Sequence, residues 1–128
     1  MKIVAIVQAR MSSTRFPKKV MQPICGKPMI GLLLERLSKS NKIEQIILAT
    51  TDDNSCDSLA YYVNKLGYEV YRGNEDDVLD RYYQAAKKVQ ADLVVRVTGD
   101  CPLIDPEQVD EVILKFLESD VDYVANNV

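Results

Sequence analysis

The chain has 128 residues, of which 47% are hydrophobic and 27% are charged, with a formal net charge of −3. These values predict one soluble globular domain, and the mildly acidic balance provides no global positive field for nucleic acid or an anionic membrane. The chain contains no histidine, which excludes histidine-based triads and zinc–water chemistry. Mg2+, which prefers oxygen ligands, remains compatible with this composition.

Secretion and membrane insertion are not expected. The three cysteines, Cys25, Cys56 and Cys101, lie far apart and form no CxxC pair, a pattern typical of reduced thiols in a cytosolic protein. The first apolar run, residues 3–7, is too short for a signal-peptide core, and no run approaches the roughly 20 apolar residues of a membrane span. We therefore expect a cytoplasmic protein with no membrane segment.

Apolar runs and amphipathic stretches alternate along the chain. By hydrophobic periodicity, strands are predicted at residues 3–7, 45–50, 68–71, 93–97 and 122–125. Helices are predicted at residues 28–38, 55–66, 77–89 and from 105–106 to near 119. Gly67 is expected to cap the second helix at its C-terminus, and Asp105 to cap the fourth at its N-terminus. Four helical tyrosines are expected to pack at the edge of the core rather than stack on bases: Tyr61, Tyr62, Tyr82 and Tyr83.

This alternation predicts an α/β fold with a mostly parallel sheet and helices on both faces. In such folds, ligands bind beyond the carboxyl ends of the strands. The chain stops directly after an apparent strand, at residues 122–125, which would leave a sheet edge uncovered. We favour truncation of a longer protein as the explanation, the alternative being a partner that covers the edge.

The segment that follows the first strand is rich in cations and hydroxyl groups. Within residues 8–19 it contains Arg10, Ser12, Ser13, Thr14, Arg15, Lys18 and Lys19. Guanidinium, ammonium, hydroxyl and backbone N–H donors are what a triphosphate requires. The segment lacks the glycines and the GK[ST] ending of a Walker loop. A solvated basic turn is the alternative interpretation.

Four further residues are candidates for ligand contact. Lys27 is either another phosphate contact or, more simply, a solvated turn residue. Asp52 and Asp53 follow the second strand, where they would contact a ribose hydroxyl or a metal, or else cap the next helix. Arg72, alone among acidic residues, is a candidate for contact with a base or a phosphate.

A Gly-Asp pair, Gly99 and Asp100, follows the predicted strand at residues 93–97. An aspartate at this place, beside a phosphate-binding loop, is suited to hold Mg2+ between phosphate oxygens. The alternative is a simple turn before Pro102. Together with the basic segment, Asp100 predicts a site of two parts.

Three stretches resemble a known family. QARMSSTRFPKKVMQPICGKPMI (residues 8–30) resembles the signature of CMP-KDO and CMP-sialic acid synthetases, and is most similar to their relative, the spore coat polysaccharide biosynthesis protein F family. VTGDCPLIDP (residues 97–106) and RGNEDDVLDRYYQAA (residues 72–86) resemble later segments of the same family. The resemblance covers essentially the whole chain.

The resemblance implies a nucleotide-diphospho-sugar transferase fold of Rossmann-like type. It also implies the reaction of a nucleoside triphosphate, CTP or another, with a sugar to give a nucleotide-sugar and pyrophosphate, with Mg2+ as cofactor. On the family's pattern Arg10, Ser13, Arg15 and Lys19 embrace the triphosphate. The small side chains of Ser12 and Ser13 would in addition let the backbone approach the phosphates closely. Ala9, Arg72 and Thr98 surround base and ribose, and Asp100 binds Mg2+. Arg15, Lys19 and Asp100 are the expected catalytic residues.

Enzymes of this family are about twice as long, so residues 1–128 are expected to form the N-terminal nucleotide-binding part and to lack full activity alone. A homodimer is an expectation that stays open. Two alternative functions are a glycosyltransferase that uses a nucleotide-sugar, and a non-catalytic nucleotide-binding or assembly module. The first is disfavoured because Asp100 lacks the second aspartate of an Asp-x-Asp motif, and the second because a scaffold has no need for the basic segment.

Overall fold

The structure, a computed structural model, describes residues 2–9, 21, 23–24, 27–74, 76–99 and 104–118. The strands in chain order are β1 (Ile3–Gln8), β2 (Pro23–Ile24), β3 (Lys27–Pro28), β4 (Gln45–Thr51), β5 (Glu69–Gly73) and β6 (Leu93–Thr98). The helices are α1 (Met29–Leu37), α2 (Asp57–Lys65), α3 (Val78–Lys88) and α4 (Pro106–Glu118), and a short 3-10 turn, Asn54–Cys56, precedes α2. The strand predicted at residues 122–125 lies outside the described residues.

Four strands form one parallel sheet in the order β5-β4-β1-β6. The continuous apolar run of β1 lies between two neighbours, and residues 3–7 are all buried, as expected for a central strand of a parallel sheet covered on both faces. The predicted parallel α/β fold is therefore confirmed. A two-residue antiparallel pair, β2 with β3, was not predicted.

Helices cover both faces of the sheet. One face of β1 and β4 packs against apolar side chains of α1 and α2, with a partly buried contribution from α4: Ile30, Leu33, Leu34, Leu37, Leu59, Val63 and Val109. The opposite face packs against α3 through Tyr82, Ala85 and, just after the helix, Val89. In both cases the spacing of three or four residues places the apolar side chains on one side of the helix.

The predicted helix ends are present. Gly67 adopts φ +100° after α2, and its N–H donates to the carbonyl of Asn64 at 3.0 Å. Asp77 accepts a hydrogen bond from the backbone N–H of Asp80 at 2.9 Å at the start of α3. Asp105 accepts one from the N–H of Glu107 at 2.9 Å at the start of α4. Local capping chemistry thus sets where these helices begin and end.

The expectation for the tyrosines was wrong at two of four positions. Tyr82 is buried and Tyr62 is partly buried, but Tyr61 and Tyr83 are 70% and 62% exposed. Consecutive residues point about 100° apart around a helix. Because Tyr62 and Tyr82 face the core, the tyrosine beside each of them faces solvent.

Helix α4 is tied to the end of α1. The Arg36 side chain donates from Nε to the carbonyl oxygen of Ile104 at 2.8 Å. Asp110 accepts hydrogen bonds from the Ser40 hydroxyl and from the N–H of Asn41, the latter at 2.9 Å. These contacts hold Ile104 and the first half of α4 against the end of α1. None of the helices in the described part of the chain is long and apolar enough to cross a bilayer.

Candidate functional site

The carboxyl ends of three strands meet at one edge of the sheet. Gln8, the last residue of β1, is paired with Ala49 of β4 and Thr98 of β6. The ladder continues one residue further on both sides: the N–H of Ala9 donates to the carbonyl of Ala49 at 3.2 Å, and the N–H of Gly99 donates to the carbonyl of Gln8 at 2.8 Å. The two chain segments singled out by sequence therefore leave the sheet from hydrogen-bonded neighbours.

Gly99 and Ala9 are in unusually close contact. A β-carbon at position 99 would stand 2.7 Å from the β-carbon of Ala9 and 3.0 Å from the carbonyl oxygen of Gln8. Glycine is required here because the backbone of one strand end approaches that of the other. This contact sets the distance between the start of the basic segment and the residue before Asp100.

Two of the predicted nucleotide-binding residues are described at this edge. Ala9 is buried, and Thr98 is exposed at the end of β6. Thr98 pairs in register with Gln8, so both lie at the sheet edge where ligands of parallel α/β folds bind. The other predicted residues, Arg10, Ser12, Ser13, Arg15, Lys19 and Asp100, lie outside the described residues, and their roles remain predictions.

Arg72 lies at the same edge and binds the turn that follows β4. Its Nε donates to the carbonyl of Thr51 at 2.9 Å, and its Nη2 donates to the carbonyl of Asp53 at 2.8 Å. The same Nη2 forms an ion pair with Asp57 at 2.8 Å. Arg72 therefore holds the β4–α2 connection in shape, and its predicted contact with base or phosphate remains a prediction.

The two aspartates that follow β4 differ in their contacts. Asp53 caps the 3-10 turn by accepting a hydrogen bond from the N–H of Ser55 at 3.3 Å. Asp52 is exposed, and its backbone N–H donates to the carbonyl of Gly73 at 2.9 Å, which links β4 to β5 beyond their last paired residues. Helix capping accounts for Asp53, and the carboxylate of Asp52 faces solvent at the candidate site.

The described residues contain no group of three or more His, Cys, Asp and Glu side chains able to hold a metal ion. The predicted Mg2+ site rests on Asp100, which directly follows the close contact of Gly99 with Ala9. Cys56 is buried, and its sulfur accepts a hydrogen bond from the Thr51 hydroxyl group at 3.1 Å. Cys25 and Cys101 lie outside the described residues, and the reduced state of the cysteines stays a prediction.

Two features of this edge were not identified from the sequence. One is the close contact of Gly99 with Ala9, and the other is Arg81, which lies against Gly73. Arg81 is fully buried in α3, although it is charged. Its position, four residues before Ala85 and one before Tyr82, falls within the buried stripe of the helix. That periodicity was the available signal, since a charged residue within a buried stripe requires an explanation.

Comparison with known proteins identifies the family. A family model described as Cytidylyltransferase matches residues 4–128. The chain belongs to this family. The spore coat polysaccharide biosynthesis protein SpsF of Bacillus subtilis is 35% identical over 130 residues, which cover 97% of this chain and 54% of that protein.

Solved structures agree with this assignment. A cytidylyltransferase from Leptospira borgpetersenii superposes with a TM-score of 0.89 at 40% identity, covering 94% of this chain and 50% of that one. A CMP:2-keto-3-deoxy-manno-octonic acid synthetase solved in complex with CTP superposes with a TM-score of 0.83 at 28% identity, covering 93% and 48%. The predicted nucleotidyltransferase fold is confirmed, and the chain spans about half the length of these relatives.

Proposed function

We propose that this chain is the nucleotide-binding part of a Mg2+-dependent cytidylyltransferase that activates a sugar for surface or spore-coat polysaccharide synthesis. In the reaction, a sugar oxygen attacks the α-phosphorus of CTP, the bond between the α- and β-phosphoryl groups breaks, and pyrophosphate leaves. The observation that carries the proposal is the match of residues 4–128 to the cytidylyltransferase family. A related structure solved with CTP supports the choice of nucleotide.

The geometry of the sheet edge supports a ligand site at this place. The ends of β1 and β6 are joined by the hydrogen bond from Gly99 to Gln8, so the basic segment and Asp100 start from adjacent points of the backbone. Arg10, Ser12, Ser13, Arg15 and Lys19 would surround the triphosphate. Such an arrangement stabilises charge that develops on the departing pyrophosphate.

Base and ribose are assigned to the other side of the same edge. Ala9 and Thr98 lie at the ends of neighbouring strands, and Arg72 stands at the end of β5, beyond β4. Ala9 is buried and Thr98 is exposed at this edge, and we assign both to the surroundings of base and ribose. Positioning the nucleotide against a rigid edge aligns its α-phosphorus for in-line attack.

Mg2+ fits the donors that this site offers. Asp100 would hold the ion through a carboxylate oxygen, the type of ligand that Mg2+ prefers, with phosphate oxygens and water completing its coordination. The ion would supply positive charge against the triphosphate. Asp100 directly follows Gly99, which lies against Ala9, and this supports the proposal that Asp100 and the phosphate-binding segment act at one site.

Ligand-induced stabilisation tests this proposal without requiring turnover. We expect CTP with Mg2+ to raise the melting temperature of the chain, because a ligand that binds only the folded state stabilises it by mass action. Asp100→Ala and Arg15→Ala should each abolish the gain. Matched controls are Glu111→Ala on the exposed side of α4 and Lys42→Ala in the exposed turn after α1, which should keep it. No shift with any of the four nucleoside triphosphates would overturn the proposal.

A further inference from the structure

Arg81 in α3 is a fully buried cation without a hydrogen-bond partner in the described part of the chain. Its relative exposure is 0%, and its Nε, Nη1 and Nη2 atoms all lack an acceptor. A buried charge is normally paired, because losing water without gaining a partner is among the most costly arrangements in a folded protein. Arginine, unlike lysine, does not escape this cost by releasing its proton.

The side chain of Arg81 lies against the carboxyl end of β5. Helix α3 follows the parallel strand β5, so it begins beside the carboxyl edge of the sheet, and helical side chains lean toward the N-terminus of their helix. Arg81 is in the first turns of α3. Its Cγ atom lies 2.9 Å from the position that a β-carbon at Gly73 would occupy. The arginine therefore passes over Gly73, the last residue of β5, at the edge assigned to the nucleotide.

Three described carboxylates at the start of α3 are near Arg81 in sequence but do not bind it. Asp77 accepts from the N–H of Asp80 at 2.9 Å, and Asp80 accepts from Nε2 of Gln84 at 3.4 Å. Asp76 is exposed. Among the residues that the structure describes, none of these carboxylates is within hydrogen-bonding distance of the Arg81 nitrogens. These described carboxylates therefore do not neutralise the Arg81 guanidinium.

We propose that Arg81 binds an oxygen anion of the ligand, a phosphate or a carboxylate, which reaches it from the carboxyl edge of the sheet. The planar guanidinium matches such groups through two parallel hydrogen bonds. Because Arg81 has no exposed surface in the ligand-free chain, binding is coupled to local opening of this edge. The identity of the ligand rests on the proposed function. The need of the buried Arg81 for an anionic partner does not.

The test is Arg81→Met, which keeps much of the volume and removes the charge. We expect two opposite effects. The melting temperature of the ligand-free chain should rise by a few degrees, because an apolar side chain suits a buried site better than an unpaired charge. Affinity for CTP, measured by titration calorimetry, should fall about tenfold or more, as expected for loss of hydrogen bonds to a charged group.

Two further variants sharpen the result. Lys87→Met removes the same charge from an exposed position near the end of the same helix, and should leave both quantities unchanged. Arg81→Lys keeps the charge without the two-pronged geometry, and should give an intermediate affinity. A lower melting temperature for Arg81→Met without ligand, or its failure to fold, would show an internal partner and overturn the proposal.

Four probes separate the sources of the anion: CTP, cytidine, pyrophosphate and 2-keto-3-deoxy-manno-octonate. Loss of the pyrophosphate and CTP responses in Arg81→Met assigns Arg81 to phosphate, whereas loss of the sugar-acid response alone assigns it to a carboxylate. Equal binding of every probe by wild type and variant overturns the proposal while leaving the proposed function intact. If wild type binds none of the triphosphates but shows an Arg81-dependent response to pyrophosphate, the proposed function fails and the anion site stands.

Discussion

Gly99 lies so close to Ala9 that a β-carbon at position 99 would stand 2.7 Å from the β-carbon of Ala9. The backbone N–H of Gly99 is also held by the carbonyl of Gln8 at 2.8 Å. The close contact and the hydrogen bond act together, because the absence of a side chain allows the distance that the hydrogen bond requires. Two segments far apart in sequence are thereby fixed side by side at the ends of β1 and β6.

Gly99→Ala should therefore destabilise the chain by about 1–3 kcal/mol, the usual cost of forcing a methyl group into a packed site. If Asp100 and the basic segment form the proposed site, affinity for CTP should also fall, because the substitution separates the two strand ends from which both continue. Urea denaturation and calorimetric titration measure the two effects. Adding Ala9→Gly removes the nearest clashing atom and should restore part of the lost stability. A Gly99→Ala variant as stable as wild type would contradict this account.

Gly67→Ala should cost about 1–2 kcal/mol for a different reason. No atom lies within 4 Å of the new β-carbon, so the penalty comes from the backbone, which has φ +100°, a conformation that L-residues with a side chain rarely adopt. The N–H groups of Gly67 and Tyr68 close the end of α2 onto Asn64 and Val63. Denaturant unfolding should show the loss with CTP affinity unchanged, because α2 ends at the opposite edge of the sheet.

Arg72→Ala should destabilise the chain by about 1–3 kcal/mol, since the carbonyls of Thr51 and Asp53 both lose a charged donor. Asp57→Asn removes only the ion pair, in which Asp57 is 60% exposed, and should cost less than about 1 kcal/mol. Chemical denaturation of both variants tests this order. An Asp57→Asn variant that loses as much stability as Arg72→Ala would show that the ion pair, and not the carbonyl contacts, holds the turn.

Gly31→Ala should also be destabilising, because the new β-carbon would collide with the hydroxyl oxygen of Tyr62, where α1 packs against α2. Tyr62→Phe removes that oxygen and leaves the nearest ring carbon at 3.2 Å. The double variant should therefore recover much of the stability lost in Gly31→Ala, as measured by thermal unfolding. Additive losses in the double variant would mean that the hydroxyl group is not the obstacle.

The order of strands and helices could be predicted because it follows from local periodicity and capping. The period of α1 and the cap at Asp77 depend on residues within a few positions of each other. Strand ends were less predictable. The strand predicted at residues 68–71 extends to Gly73, because Gly73 pairs with Thr51 of β4, and pairing between distant segments has no local signal.

The place of the candidate site in the fold was predictable, whereas the contacts at that edge were not. Thr98 and Ala9 were correctly placed at the carboxyl edge, because parallel strands present their ends there. The role of Gly99 depends on which backbone lies beside it, which only the folded chain determines. Arg81 was not expected in the core because charged residues are usually solvent-exposed, whereas here the side chain lies in the buried stripe of α3 and is covered completely.

The two edges of the sheet differ in a way that has a consequence for longer relatives of this chain. Beside β5, Lys88 donates from its ammonium group to the carbonyl of Val70 at 3.1 Å and lies 3.6 Å from the carboxylate of Glu69. A charged side chain at an edge hinders the addition of another strand. Within the described residues β6 pairs only with β1, so the backbone groups on its outer side are not used by another strand. A further strand is therefore expected to join this sheet beside β6 rather than beside β5.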